Sequence, residues 1–142
     1  MSDLYDTDTA RWAEQQAQAL RSRSANALDW DNLAEEIEGL ARSDRREIRN
    51  RLAVICAHLL KWQFQPDGRG GSWRGSIVEA RDRIADLIEE SPSLRPYPET
   101  VLSAGYAAGR RKAEAETELV GMPEACPWTI EQVLDHAFWP RR

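Results

Sequence analysis

The longest amphipathic pattern in the chain predicts one helix over residues 31–63. Apolar residues follow the three-and-four spacing of one helix face, which is expected to point into the core, at Leu33, Ile37, Leu40, Ile48, Ile55, Leu59 and Trp62. The same face becomes polar at every seventh residue, at Asp44, Arg51 and His58. Burying an unpaired charge costs on the order of several kcal/mol, so this polar row predicts either groups that pair to specify helix docking or one member of a site.

Shorter amphipathic patterns predict four further helices, over residues 7–23, 72–90, 98–118 and 128–138. Ser72 and Thr129 are the expected N-caps of the second and fourth of these. Gly105 and Gly109 lie one turn apart and should let another backbone approach closely. Glycine and proline mark the loops, most clearly in residues 66–71, PDGRGG.

The sequence therefore predicts an all-α protein, a compact single-domain bundle of about five helices over residues 1–142 with one long central helix. No segment alternates with the period of two expected of a strand. Gly39 and Ser43 weaken the long helix, the glycine by about 1 kcal/mol relative to alanine. A kink or a break into two helices is left open between them.

Composition narrows the classes of function. The formal net charge of −5 argues against a general nucleic-acid binder, since phosphate contacts need a positive field. The local exception is the arginine-rich stretch 42–51, where pairs within the helix such as Glu47 with Arg51 are expected. No run approaches 18 apolar residues and the first ten residues lack a signal-peptide core, so a cytoplasmic location without membrane insertion is expected. Cys56 and Cys126 are expected to be reduced, with Cys56 buried.

The candidate enzyme site centres on His58, because a neutral imidazole beside a carboxylate can act as a general base. Glu36, Lys61 and Arg74 are the further catalytic candidates. Asp44 does not share that site, since it lies 14 residues from His58, about 21 Å along a helix that rises about 1.5 Å per residue. The alternative function is then a small hydrolase-like or nucleic-acid-processing enzyme.

Neither a metal nor a cofactor is expected. The histidines and cysteines lack the ligand spacing of zinc sites, and the chain has no Glu-x-x-His pattern of a di-metal bundle. The preferred function is instead a protein-binding or homo-oligomerising module, with self-association or a protein partner. Its candidate binding residues are Asp44 and Arg51, whose polar row would fix register, and Trp30 and Trp139, since tryptophan often anchors interfaces.

Four short motifs stand in a fixed order along the chain: DNLAEEIE at 31–38, HLLK at 58–61, SW at 72–73 and SPSL at 91–94. Together they resemble the bacterial family called domain of unknown function twenty-nine, and the resemblance runs from Tyr5 to Pro140. It implies a small, helical, mainly bacterial protein. The family has no assigned activity, so the resemblance supplies no catalytic residue.

Overall fold

The computed structural model describes residues 4–141, and within that range it contains helices and loops but no strand. Its helices are α1 (Leu4–Thr7), α2 (Thr9–Arg21), α3 (Trp30–Phe64), α4 (Gly71–Glu90), α5 (Tyr97–Thr117) and α6 (Ile130–Leu134). Short 3-10 turns occupy Ala25–Ala27, Pro66–Gly68 and Pro92–Leu94. The predicted all-α class and the long helix are confirmed.

Helix α3 is continuous from Trp30 to Phe64, so the break considered between Gly39 and Ser43 does not occur. A single glycine costs about 1 kcal/mol, which the rest of a 35-residue helix offsets. The cap predicted at Ser72 is wrong, because α4 begins at Gly71 and its N-cap is Gly70, which has no side chain to form a capping hydrogen bond. The cap at Thr129 is confirmed as a capping box with Gln132.

The chain divides into two compact units, residues 1–43 and 44–142. In the first unit, polar side chains join α2 to the start of α3. The indole Nε1 of Trp12 donates to the Asp29 carboxylate at 3.0 Å, and the Gln16 carboxamide accepts from the Asp29 backbone N–H at 2.7 Å. Tyr5 donates to Glu36, farther along α3. These contacts hold α1 and α2 against Glu36 of α3 and against Asp29, just before that helix.

The apolar face of this part of α3 has a different environment from the one predicted. Ile37 is 65% exposed, Leu40 69% and Trp30 64%, and only Leu33 is half-buried. The prediction that Ile37 and Leu40 point into a core is therefore wrong. Helical spacing specifies an apolar face, but α1 and α2 lie against the neighbouring side of the helix and leave that face uncovered within the first unit.

The second unit has a continuous apolar core. Its fully buried side chains come from α3, α4, α5 and α6, and they include Ile48, Leu52, Ile55, Leu59, Ile77, Ile84, Leu87, Tyr106 and Val133. Close approach of α5 to α3 depends on two glycines, as predicted. A Cβ on Gly109 would lie 2.6 Å from the Ala53 carbonyl oxygen, and one on Gly105 would lie 3.0 Å from the Leu52 Cβ.

Candidate functional site

The polar row of α3 is half-buried at all three positions, but its members have different surroundings. Arg51 forms the predicted pair with Glu47 at 3.7 Å and a second pair with Glu79 of α4 at 3.5 Å. Within residues 4–141, Asp44 has neither an ion pair nor a side-chain hydrogen bond. His58 lies beside different residues, so the row does not form one site.

Glu47, the partner of Arg51 on α3, also joins α3 to α4 through a second arginine. Its carboxylate accepts two hydrogen bonds from the Arg83 guanidinium, at 2.8 and 3.0 Å. The hydrogen bond from Arg83 lowers the pKa of Glu47, and the charge of Arg51 contributes in the same direction. Arg51 and Arg83 thus contact one carboxylate, which fixes how α4 packs on α3 in the second unit.

His58 lies in a small cluster with Trp73, Lys61 and Glu116. The His58 and Trp73 ring centres are 6.4 Å apart, and the buried Lys61 ammonium lies 5.0 Å from the Trp73 ring centre and 3.5 Å from Glu116. Burial and then the charge of Lys61 lower the pKa of His58 to about 4. The imidazole is therefore neutral near pH 7, and its Nδ1 has no hydrogen-bond partner.

The other two catalytic candidates have different neighbours. Glu36 belongs to the first unit, where it accepts the hydrogen bond of Tyr5. Arg74 lies over two tryptophan rings, with its guanidinium carbon 5.2 Å from the centre of Trp62 and 5.7 Å from that of Trp139. The structure thus brings Lys61 to His58 and associates Arg74 with the tryptophans.

Arg74 is the centre of a larger arrangement, here called the tryptophan–arginine stack. The rings of Trp62 and Trp139 are 4.7 Å apart, and Arg69 lies 5.3 Å from the Trp62 centre, while Arg81 lies 5.5 Å from that of Trp139. Beside this stack is an open pocket of about 580 Å³. The residues that line it are Trp62, Pro66, Arg69, Ala137, Trp139, Pro140 and Arg141.

Arg81 is the buried arginine of the tryptophan–arginine stack. It is 2% exposed and donates to the carbonyl oxygens of Val133 at 2.8 Å and Phe138 at 3.1 Å, which holds the segment after α6 against α4. Its Nη1 has no hydrogen-bond partner, and burial lowers the pKa of the guanidinium. Its other nitrogens donate to backbone carbonyls, so Arg81 holds the segment that leads to Trp139.

The two cysteines, distant in sequence, interact in the second unit. Both are free thiols, Cys56 buried as expected and Cys126 half-buried. A hydrogen bond from Cys56 lowers the pKa of Cys126 to about 7, and the same bond raises the pKa of Cys56. The nearby Tyr106 phenol donates to the Pro123 carbonyl, and burial raises its pKa to about 12.

Sequence reasoning missed Glu116 and the pocket residues Arg69 and Arg141. Glu116 follows Lys61 by 55 residues, and no local spacing connects them. Arg69 lies in a glycine-rich loop whose composition is typical of a connector. Its only signal is the density of arginine and tryptophan between Arg69 and Arg74.

Metal ligands and membrane-spanning helices are not among the features of the described residues. No group of three or more His, Cys, Asp or Glu residues within the range 4–141 is arranged to hold a metal ion. None of the helices in that range is long and apolar enough to span a bilayer. The candidates are therefore the exposed face of α3, the His58 cluster and the pocket beside the stack.

A comparison with the models of known protein families identifies the family of this chain. The model of the family described as Domain of unknown function DUF29 matches residues 4–139. The chain therefore belongs to this family, which agrees with the resemblance of its motifs, and the family carries no assigned function. Searches of curated proteins and of solved structures gave no match.

Proposed function

We propose that this DUF29 member is a bacterial, cytoplasmic, homo-oligomerising module in which two copies pair through the exposed face of α3. The observation that carries the proposal is the exposure of Trp30, Ile37 and Leu40 in the first unit. Contiguous exposed apolar residues typically mark a protein–protein contact. Water-exposed tryptophan, isoleucine and leucine side chains on one helix face gain free energy when another surface covers them.

The shape of this face suits a second helix. Trp30, Leu33, Ile37 and Leu40 are spaced by three, four and three residues, which is the seam of a two-helix coiled coil. Ala34 and Ala41 flank one side of the seam and are small enough to permit close packing. Tyr5 and Trp12 make their hydrogen bonds to Glu36 of α3 and to Asp29 just before it, toward the other side, so Trp30, Ile37 and Leu40 of the seam stay exposed.

The distribution of charge supports another copy of α3 as the second helix. Its early turns carry Asp31, Glu35, Glu36 and Glu38, and the turns that follow carry Arg42, Arg45, Arg46 and Arg49. An antiparallel pair places the acidic part of each copy against the basic part of the other. When Ile37 of one copy packs on Leu40 of the other, Asp31 comes close to Arg45 of the second copy. A two-fold axis makes both contacts occur twice.

Reversed charges test this geometry. We expect Asp31→Lys and Arg45→Glu each to weaken dimerisation about tenfold, because two attractive contacts become repulsive and each is worth up to about 1 kcal/mol. An equimolar mixture of the two variants should dimerise again, since a mixed dimer has opposite charges at both contacts. Sedimentation equilibrium at low salt measures both effects. Failure of the mixture to recover, with both variants folded by circular dichroism, rules out the antiparallel pairing.

The enzyme alternative around His58 has one specific observation in its favour, the unpaired Nδ1 in a half-buried position beside Lys61. Against it, His58 makes no hydrogen bond to a carboxylate within the described residues, and it does not line the pocket beside the stack. A pKa of about 4 also leaves the imidazole a weak base. We therefore favour pairing over catalysis.

A further inference from the structure

The charged residues described around the pocket beside the tryptophan–arginine stack are all positive. Among the described residues that line it are two arginines, Arg69 and Arg141, and no carboxylate. Arg74 lies over the same Trp62 and Trp139 rings that form its wall. The pocket is therefore a place of positive potential on a chain whose formal net charge is −5.

No described residue forms an ion pair with these arginines. Within residues 4–141, the ion pairs involve Arg42, Arg51, Lys61, Arg83, Arg110 and His136, and none involves Arg69, Arg74 or Arg141. A chain with 24 acidic residues offers many possible partners for an arginine. These three guanidinium groups, which have no ion-pair partner among the described residues, gather around two tryptophans and favour a ligand that is itself anionic.

Stacking leaves the guanidinium groups of Arg69 and Arg74 able to bind an anion. A guanidinium that lies over an aromatic ring uses its flat face, and its N–H groups remain available in the plane. The Arg69 Nε donates to the Trp62 carbonyl oxygen at 2.7 Å, which fixes this side chain. Its two terminal nitrogens have no hydrogen-bond partner in the described structure. Arg69 is thus oriented in advance, which lowers the entropy lost on binding.

We propose that this pocket binds the phosphate group of a small molecule. Arginine in a fixed planar geometry binds phosphate oxygens in pairs, and several guanidinium groups suit a doubly charged group better than a single carboxylate. The volume of about 580 Å³ is in the usual range of small-molecule sites. Trp62 is only 8% exposed, so recognition is of the charged group rather than of a ring stacked on that tryptophan.

Isothermal titration calorimetry of the full chain tests the proposal, with pyrophosphate, adenosine monophosphate and citrate as probes. We expect both phosphate compounds to bind, with affinity that falls as salt rises, and citrate to bind at least tenfold more weakly. Comparison of pyrophosphate with the nucleotide shows whether a free or an organic phosphate is preferred. The indole N–H signals of Trp62 and Trp139 should shift in nuclear magnetic resonance spectra on binding.

Three variants make the result specific. Arg141→Gln and Arg69→Gln should each weaken pyrophosphate binding about tenfold, whereas Arg111→Gln, an exposed arginine of α5, should leave it unchanged. Arg141 makes no hydrogen bond in the described structure, so its variant should fold even where the Arg69 variant does not. Absence of phosphate binding at millimolar concentration, equal binding in Arg141→Gln, or equal citrate binding would overturn the proposal. A seam variant that fails to dimerise should still bind pyrophosphate, so the two proposals fail separately.

Discussion

The ammonium of Lys61 lies 3.5 Å from the carboxylate of Glu116, which ties the last turns of α3 to the end of α5. Lys61 is itself buried, whereas Glu116 is partly exposed. The same ammonium is close enough to His58 that its charge, after burial, is the next cause of the low pKa of that imidazole. Lys61 therefore adds to the effect of burial on the pKa of His58 and also joins two helices.

Replacing Lys61 should move the titration of His58. In Lys61→Met, loss of the positive charge leaves Glu116 to stabilise the imidazolium, so the pKa of His58 should rise from about 4 while burial keeps it below 6.5. Lys112→Met is the matched control, because Lys112 lowers that pKa less. Titration of the imidazole signals by nuclear magnetic resonance gives both values. An unchanged pKa in Lys61→Met contradicts the electrostatic account.

The same pKa shift has a consequence for stability. The unfolded chain binds a proton at His58 near pH 6.5 and the folded chain only near pH 4, so acid favours the unfolded state over that interval. The free energy of unfolding should therefore fall as pH falls from 6.5 to 4, and this part of the slope should vanish in His58→Gln. Urea unfolding of both proteins across this range measures the difference.

The closest helix contact predicts a sharp contrast between two glycines. Gly109→Ala places a methyl group 2.6 Å from the backbone oxygen of Ala53, which cannot move without shifting α3, so we expect a loss of about 1–3 kcal/mol in the free energy of unfolding. Gly75→Ala in α4 meets nothing within 4 Å and should add up to about 1 kcal/mol through helix propensity. Urea unfolding measures both. A Gly109→Ala protein as stable as the parent would mean that α5 lies farther from α3.

The paired thiols should differ in reactivity. Cys126 should react with iodoacetamide at a rate that reaches half its maximum near pH 7, because the hydrogen bond from Cys56 stabilises its thiolate. The buried Cys56 should stay unmodified in the folded protein. In Cys56→Ala the midpoint for Cys126 should move upward toward the ordinary thiol range, and Cys56→Ser, which keeps a hydroxyl donor, should move it less. Mass spectrometry of the labelled peptides decides this, and equal midpoints in all three proteins count against the hydrogen bond.

The helices could be predicted because apolar spacing and turn residues are local signals. Residues 98–118 contain their start and stop signals in the sequence itself, and the structure places α5 at Tyr97–Thr117. The last helix was predicted too long, since Asp135 leaves the helical conformation and its carboxylate accepts from the Ala137 backbone N–H after α6 ends at Leu134. Such side-chain competition with the helix is hard to see in the apolar pattern.

The candidate sites were only partly predictable, because some of their residues are far apart along the chain. His58 and Lys61 are one turn apart on α3, so their proximity follows from helix geometry. Glu116, Arg69 and Arg141 reach their neighbours only through tertiary packing. The exposure of Ile37 and Leu40 had no sequence signal either, because an apolar face has the same pattern whether its own chain or another copy covers it.

Sedimentation velocity of Ile37→Glu/Leu40→Glu beside the parent protein tests the pairing of two copies most directly. Both side chains are exposed in the single chain, so the double variant should keep its fold and thermal stability at low concentration. Val120→Glu, at a 91% exposed apolar position outside α3, is the matched control. We expect a dimer at micromolar concentration for the parent and for Val120→Glu, and a monomer for the double variant. A parent protein that is monomeric at high micromolar concentration, or a double variant that is still a dimer, would contradict the proposal.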